Sequence, residues 1–165
     1  MKRILLGSLA ILSLGFVAWA QGPYAPAVFK NGADIMAELE KGKGNPGGTA
    51  VSIIETDDFG VSVRRRTDDV VQYAPSHPLS VEIYRILDGS GTLVTGGVLD
   101  PPAPPPTPQA PDNQRSSGVK GGTARDVKAG DVLVIPANSP HQFTKINGSI
   151  TYMEFRVRSK WAGVQ

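Results

Sequence analysis

The chain contains only two histidines, and each lies beside a short apolar run bounded by turn residues. His77 precedes the run Val81 to Leu87, and His141 follows the run Val132 to Ile135. Neutral imidazole is the commonest metal ligand among side chains, and it also acts as a general acid or base near neutral pH. These two positions are therefore the first candidates for a metal site or a catalytic site.

A carboxylate follows the first histidine on the same predicted strand. Because side chains alternate between the two faces of a strand, Glu82, Tyr84 and Ile86 share one face. If that face points into a barrel, the carboxylate of Glu82 is buried, and a buried charge needs a partner. A cation coordinated by Glu82 and the two imidazoles would be such a partner.

The residues around His77 have a regular spacing. Four residues separate His77 from Glu82, and six residues separate Glu82 from Gly89. Pro75 stands two positions before His77. A second spaced motif surrounds the other histidine.

In that second motif, five residues separate Gly130 from Pro136, and His141 lies five positions beyond the proline. Together the two segments resemble the paired motifs of the cupin superfamily, over roughly residues 61–157. Asn138 stands where the family usually has glycine, and asparagine tolerates a positive φ better than most residues. The resemblance implies an all-β chain folded as a single cupin-type double-stranded β-helix, which is a jelly-roll barrel.

The resemblance also implies a metal site with three ligands, His77, Glu82 and His141. The first cupin motif usually contains another histidine, and Pro75 occupies that position here. Two histidines and one carboxylate suit Fe²⁺ best, with Mn²⁺, Zn²⁺, Ni²⁺ or Cu²⁺ also possible. Open coordination positions would admit a substrate or dioxygen, which makes such a site catalytic. The alternative is that His77 caps a loop and His141 is a satisfied core histidine.

Two further residues are candidates for catalytic roles. Tyr84 shares the face of Glu82, where it could donate a proton or only fill the barrel. Arg65 is the middle residue of three arginines, and alternation turns it away from Arg64 and Arg66. An inward Arg65 could pair with a carboxylate or enolate of a substrate. An outward Arg65 would belong to a solvated edge that discourages strand pairing.

The elements that position these residues are mostly short strands, which favours a sandwich or a barrel. Runs rich in β-branched and apolar residues predict strands at 50–55, 61–63, 81–87, 92–95, 132–135, 142–146 and 149–157. Asp88 to Gly91 predicts a connection between two of them. Asn147-Gly148 predicts a hairpin between the last two, since a type I′ turn needs a positive φ at both central residues.

Two segments stand apart from this strand pattern. Residues 21–48 form an arm with one short amphipathic helix ending near Lys41, which we expect to cover one end of the core. Residues 99–112 are too rich in proline to form a ladder, so they leave the barrel as a semi-rigid loop. That loop is either a lid or docking segment, or a tolerated surface insertion. The barrel itself is predicted to occupy residues 49–165.

The first 20 residues have the pattern of a secretory signal peptide. Lys2 and Arg3 precede the apolar run Ile4 to Trp19, which ends in Ala18-Trp19-Ala20. The alternative is a retained N-terminal anchor. A cleaved leader predicts a periplasmic or secreted protein with no other membrane contact.

Removal of residues 1–20 would leave a formal net charge of zero, which argues against a nucleic-acid partner. The sequence contains no cysteine, so disulfides, thiolate catalysis and cysteine-bound zinc are excluded. The chain length suits one domain with one core.

These features predict an exported metal-dependent cupin enzyme, either an oxygenase or a lyase or isomerase, that acts on a small organic molecule. The alternative is a noncatalytic cupin with a degenerate metal site that binds a small ligand or serves as an interaction module. A structural surface protein is a third hypothesis, motivated by export alone. Ile83 and Leu87, opposite the ligand face, predict a covering subunit and hence a homodimer.

Overall fold

The computed structural model describes residues 25–158, which contain one short helix followed by ten strands. The elements are α1 (Gly32–Lys41), β1 (Thr49–Glu55), β2 (Phe59–Thr67), β3 (Ala74–Ser76), β4 (Ser80–Thr95), β5 (Val98–Asp100), β6 (Gln114–Ser116), β7 (Gly118–Lys120), β8 (Thr123–Lys128), β9 (Val132–Ile135) and β10 (His141–Arg158). The predicted leader and the last seven residues lie outside the described residues. Within the described part, no helix has both the length and the apolar character needed to cross a bilayer.

Six of the strands form one antiparallel sheet in the order β1-β2-β10-β4-β8, with β9 pairing to a different part of β4. The first half of β4 pairs with β9, and its second half pairs with β8. The small ladders β3-β6 and β5-β7 complete the pairing. The predicted all-β architecture is confirmed.

The strands β4 and β10 are longer than the sequence predicts, because neither is interrupted by a reversal. Asn147 and Gly148 lie inside β10, at an irregularity where the partner of β10 changes from Gly91 to Gly89. The hairpin prediction is therefore wrong. Gly148 has a φ of 74°, and this positive φ serves a bulge in a continuous strand.

The segment from Asp88 to Gly91, which was predicted to be a connection, is also part of a continuous strand, β4. Gly89 has a φ of 79°, and a side chain there would collide with the carbonyl oxygen of Ser149. The glycine lets the backbones of β4 and β10 approach closely while both ladders continue.

The main core lies between the strands and consists of the inward side chains Tyr84, Ile86, Leu93, Val127, Ile135, Phe143, Ile146, Ile150 and Tyr152. Asn31 caps the N-terminus of helix α1, and its side chain accepts a hydrogen bond from the backbone N–H of Ala33 at 2.8 Å. Its buried residue Leu39 packs with Val51 and Val63 in a separate cluster. The helix thus covers the outer face of β1 and β2, and the expectation that it closes one end of the main core is wrong.

The proline-rich loop begins later than predicted. Leu99 and Asp100 belong to β5 and pair with β7, so the excursion starts at Pro101. The returning chain pairs with β3, where Arg115 lies opposite Pro75. The side chain of Ser116 donates a hydrogen bond to the carbonyl of Pro101 at 2.6 Å, which ties the two ends of the loop together.

Candidate metal centre

The structure brings the three predicted ligands together from three elements. His77 follows β3, Glu82 lies near the start of β4, and His141 is the first residue of β10. Their side chains are buried, and their ligand atoms lie within 4.8 Å of one another. Glu82 is only 1% exposed because it lies on the inward face of β4, which it shares with the buried Tyr84 and Ile86.

The distances among these atoms suit one bound cation. Glu82 Oε1 lies 3.5 Å from His77 Nε2, and Glu82 Oε2 lies 3.0 Å from His141 Nε2. Two donors bound about 2.1 Å from a metal and at right angles to each other lie about 3.0 Å apart. The donor set and its spacing therefore fit a divalent transition metal.

Backbone carbonyl groups orient both imidazole rings. His77 Nδ1 lies 2.6 Å from the carbonyl oxygen of Asp112, and His141 Nδ1 lies 3.1 Å from that of Ser139. Because a carbonyl oxygen can only accept a hydrogen bond, each Nδ1 carries the proton that it donates. In the neutral rings, the Nε2 lone pairs then face Glu82, as in metal sites whose histidines are held by a second contact.

A cation or a hydrogen-bond donor between these acceptor atoms lowers the repulsion between them. Burial by itself would raise the pKa of the Glu82 carboxyl group, but its contacts with His141, His77 and Arg156 outweigh this effect and hold the pKa well below its usual range, so Glu82 is ionised. A lone pair of a neutral His141 would face an anionic oxygen at 3.0 Å, and the two would repel. A proton or a metal ion shared between them removes this repulsion.

Burial lowers the pKa of His77, and the nearby Arg156 lowers it further, while Glu82 acts in the opposite direction. The net shift is downward, so His77 is neutral at neutral pH. Neutral imidazole is the form that binds a metal.

Arg156 supplies one positive charge to the cluster. Its Nη2 atom donates to Glu82 Oε1 at 2.7 Å and lies 3.2 Å from His77 Nε2. The same guanidinium group contacts Glu154 Oε1 at 3.3 Å. A metal ion bound by Glu82 and His77 would compete with Arg156 for these donor atoms.

Tyr84 completes the centre, as its predicted position beside Glu82 implies. Its hydroxyl group lies 3.1 Å from His141 Nε2 and 3.5 Å from Glu82 Oε2. Burial, together with the negative charge of Glu82, raises the pKa of Tyr84 well above its usual value. The hydroxyl group therefore stays protonated and is a hydrogen-bond donor within the site.

Comparison with known proteins agrees with this architecture. No protein-family model matches the chain, and no curated protein matches it. A solved Klebsiella pneumoniae protein with a double-stranded β-helix domain superposes with a TM-score of 0.53 at 14% identity, covering 82% of this chain and 93% of that one. The chain has the cupin fold. TT1209 from Thermus thermophilus is similar to this cupin barrel with a TM-score of 0.53 at 11% identity, over 80% of this chain and 98% of that one. A cupin superfamily protein from Desulfitobacterium hafniense has a TM-score of 0.44 at 14% identity, over 67% of this chain and 77% of that one.

Arg65 does not belong to this centre, which corrects its assignment as a catalytic candidate. Its Nη1 atom donates to Glu40 of helix α1 at 3.2 Å, on the outer face of the barrel. Side chains do alternate along β2 as predicted, so Arg65 faces away from its two neighbours. The inward face, however, carries Arg64 and Arg66. Val63 shares the outer face with Arg65, because that face packs against the apolar side of the helix.

Sequence reasoning missed several charged residues of the cupin barrel. Arg64 Nε lies 2.7 Å from Glu154 Oε2, and Arg66 Nε donates to the hydroxyl group of Tyr152 at 2.9 Å. Burial by itself lowers the pKa of Arg64, but the charge of Glu154 outweighs it and the pKa is raised. The signal that could have found them is alternation along a strand. Phe155 follows Glu154 on β10, so with the apolar Phe155 on the outer face, the charged Glu154 lies on the inner face.

Asp112, at the end of the proline-rich loop, is another residue that the sequence did not indicate. Its backbone orients His77, and its carboxylate accepts hydrogen bonds from the backbone N–H of Leu79, at 2.6 Å, and from the hydroxyl group of Ser80. The loop is therefore attached to the first cupin motif through Asp112.

We expect Asp112→Ala to weaken metal binding about 10- to 100-fold, as loss of an outer contact does in other metal sites. The carboxylate that anchors this part of the loop to Leu79 and Ser80 would be gone, so the Asp112 carbonyl group that orients His77 would be held less firmly. Titration with Zn²⁺ against a competing chelator measures the change. Asp100→Ala, in β5 just before the loop and without these contacts, is the control, and equal affinities in both variants would contradict the role of Asp112.

Proposed function

We propose that this chain is an exported, metal-binding cupin that works as a metal-dependent enzyme on a small organic molecule. The observation that carries the proposal is the convergence of His77 Nε2, His141 Nε2 and the Glu82 carboxylate in one buried cluster. The backbone contacts of both Nδ1 atoms support it further, because they leave the Nε2 atoms as the metal-facing donors.

His77, Glu82 and His141 would hold the metal, and Fe²⁺ is favoured by two nitrogen donors with one carboxylate. When bound, such a metal supplies Lewis-acid chemistry or, as iron, dioxygen chemistry. Tyr84 holds a proton 3.1 Å from His141 and can deliver a hydrogen bond or that proton to a bound substrate. An oxygenase and a lyase or isomerase both remain compatible with these roles.

The test is elemental analysis of the tag-free protein together with its His77→Ala and His141→Ala variants. We expect close to one equivalent of a divalent transition metal in the parent protein and a loss of that metal in both variants. Leu79→Ala, next to the site but without a donor atom, is the matched control and should retain the metal. Mass spectrometry of the same preparation checks whether residues 1–20 have been removed, as the proposed periplasmic or secreted location requires.

The second candidate is a noncatalytic cupin that binds a small ligand without metal. It is favoured by Arg156, whose contacts already neutralise Glu82 and approach His77. A parent protein that takes up no metal even after anaerobic reconstitution would support this candidate and contradict the metal enzyme.

We also propose that the barrel forms a homodimer. An apolar row crosses the outer face of four neighbouring strands, since Val134 pairs with Ile83, Ile83 with Phe155 and Phe155 with Val61. Val134 is 64% exposed, which favours a covering surface from a second copy. We expect twice the monomer mass by sedimentation, and a monomer mass would contradict the dimer.

A further inference from the structure

A polar cavity of about 310 Å³ opens next to the candidate metal centre. Its wall includes His77 and Tyr84, so a molecule in the cavity would touch the centre. The cavity is also lined by four arginines, Arg64, Arg66, Arg115 and Arg156. This concentration of positive charge in one concave space is unusual, because a barrel interior is normally filled by apolar side chains.

Two of these arginines are already balanced by carboxylates. Arg64 contacts Glu154 Oε2 at 2.7 Å, and Arg156 contacts both Glu82 at 2.7 Å and Glu154 at 3.3 Å. Two carboxylates thus share two guanidinium groups. Any metal bound by Glu82 would add positive charge to the cavity.

Arg66 and Arg115 are different, because neither pairs with a carboxylate among residues 25–158. Arg66 Nη1 donates to the carbonyl oxygen of Gly47 at 2.8 Å and to Gln72 Oε1 at 3.1 Å, while its Nε donates to Tyr152. These neutral partners hold the guanidinium group in place without cancelling its charge. Its fixed orientation reduces the entropy lost when a ligand binds.

Arg115 lies at the exposed rim of the same wall. Its guanidinium group stacks over the ring of Tyr73 at 5.3 Å, and the ring of Tyr73 in turn lies beside Gly47, which holds Arg66. The cavity therefore has one uncompensated cation that is held inside and a second one at its entrance. They come from β2 and β6, so they are separate binding points.

We propose that this cavity binds a small organic acid with two carboxylate groups, one on Arg66 and the other on Arg115. This inference rests on the proposed function, since it names the substrate class of the same site. Gly47, Gln72 and Tyr152 use three of the five N–H groups of Arg66, which leaves its Nη2 atom to donate to one carboxylate. The planar guanidinium group of Arg115 can pair with the other carboxylate through two hydrogen bonds. Two separate arginines select two separated acidic groups, and the volume is near the lower limit of roughly 300 Å³ for small-molecule sites.

The experiment is calorimetric titration of the metal-free protein with succinate and with succinamide, which has the same size but no charge. We expect succinate to bind at least about tenfold more tightly, with an affinity that falls as the salt concentration rises. Arg66→Gln should weaken succinate binding by about tenfold or more and leave binding of succinamide unchanged. The matched control is Arg65→Gln, one residue away but on the outer face, and it should bind succinate like the parent.

Arg115→Gln is the second variant. Because Arg115 is exposed, we expect the substitution to change the stability of the fold little. It should also lose at least severalfold in succinate affinity, and thermal unfolding checks that each variant is folded. Absence of succinate binding, equal binding of succinate and succinamide, or equal losses in Arg65→Gln and Arg66→Gln would overturn the proposal. Metal uptake is measured separately, so metal binding without preference for succinate would overturn only this inference, and succinate binding without metal uptake would overturn only the metal enzyme.

Discussion

Glu82→Gln is expected to abolish stoichiometric metal binding and to lower the free energy of unfolding of the metal-free protein by about 3 kcal/mol. The glutamine keeps the shape of the side chain but removes the charge that Arg156 and the two histidines share. Arg156 would keep only Glu154 as an acidic partner, at 3.3 Å. The excess of buried arginines over buried carboxylates in the barrel would then increase.

Metal content by elemental analysis and urea unfolding of metal-free protein measure these two effects. Glu40→Gln is the control, because Glu40 forms an exposed ion pair with Arg65, and such pairs contribute less than about 1 kcal/mol. A Glu82→Gln variant that keeps its metal would contradict the three-ligand site. One that is as stable as Glu40→Gln would show that the buried ion pairs do not stabilise the barrel.

The acid sensitivity of the same variant gives an independent readout. The pKa of Glu82 is lower in the folded chain than its ordinary value of 4.5, so the unfolded chain binds protons more readily. The stability contributed by Glu82 is therefore present above pH 4.5 and is lost as the pH falls below it. Glu82→Gln should lack this part of the acid-induced loss, while Glu40→Gln should retain it.

Tyr152→Ala is expected to destabilise the protein by about 3 to 5 kcal/mol, which is the range for removing a large buried aromatic side chain. Tyr152 has no exposed surface, and its ring lies 4.6 Å from that of Tyr84 and 5.6 Å from that of Phe143. Its hydroxyl group also accepts the hydrogen bond from Arg66. The alanine variant would lose core packing and the anchor of the arginine together.

Tyr152→Phe separates these two contributions. It keeps the ring and removes the hydroxyl group, so we expect a loss of stability of about 1 kcal/mol. Chemical unfolding of both variants provides the comparison. A loss in Tyr152→Ala no larger than that in Tyr152→Phe would contradict the structural role assigned to the ring.

The candidate metal ligands could be named from sequence because the spaced motifs around the two histidines resemble those of the cupin superfamily. His77 and Glu82 are five positions apart, and alternation on one strand places Tyr84 beside Glu82. His141 lies on a different strand, but the spacing of Gly130 and Pro136 before it marks a second motif. Local spacing and alternation therefore determined which side chains could form the centre.

Alternation states which residues share a face, but it does not state which face is inside. Arg64 and Arg66 point inward, and Arg65 points outward, because the partner strands and helix α1 decide where the apolar side of β2 packs. Turn signals are ambiguous for a similar reason. Gly148 has the positive φ that a hairpin needs, yet pairing with β4 on both sides of it keeps β10 continuous.

The sequence by itself determined the many short strands, the short helix and the candidate ligands His77, Glu82 and His141, because each shows in local residue patterns or in motif spacing, and the resemblance of those motifs to the cupin superfamily implied the barrel. Only the tertiary structure decided that Asp112, 35 positions from His77, orients its ring, and that Arg66 and Arg156 line the same cavity. These neighbours come from distant parts of the chain. Their meeting depends on the path of the loop and the order of strands in the sheet, which residue patterns do not encode.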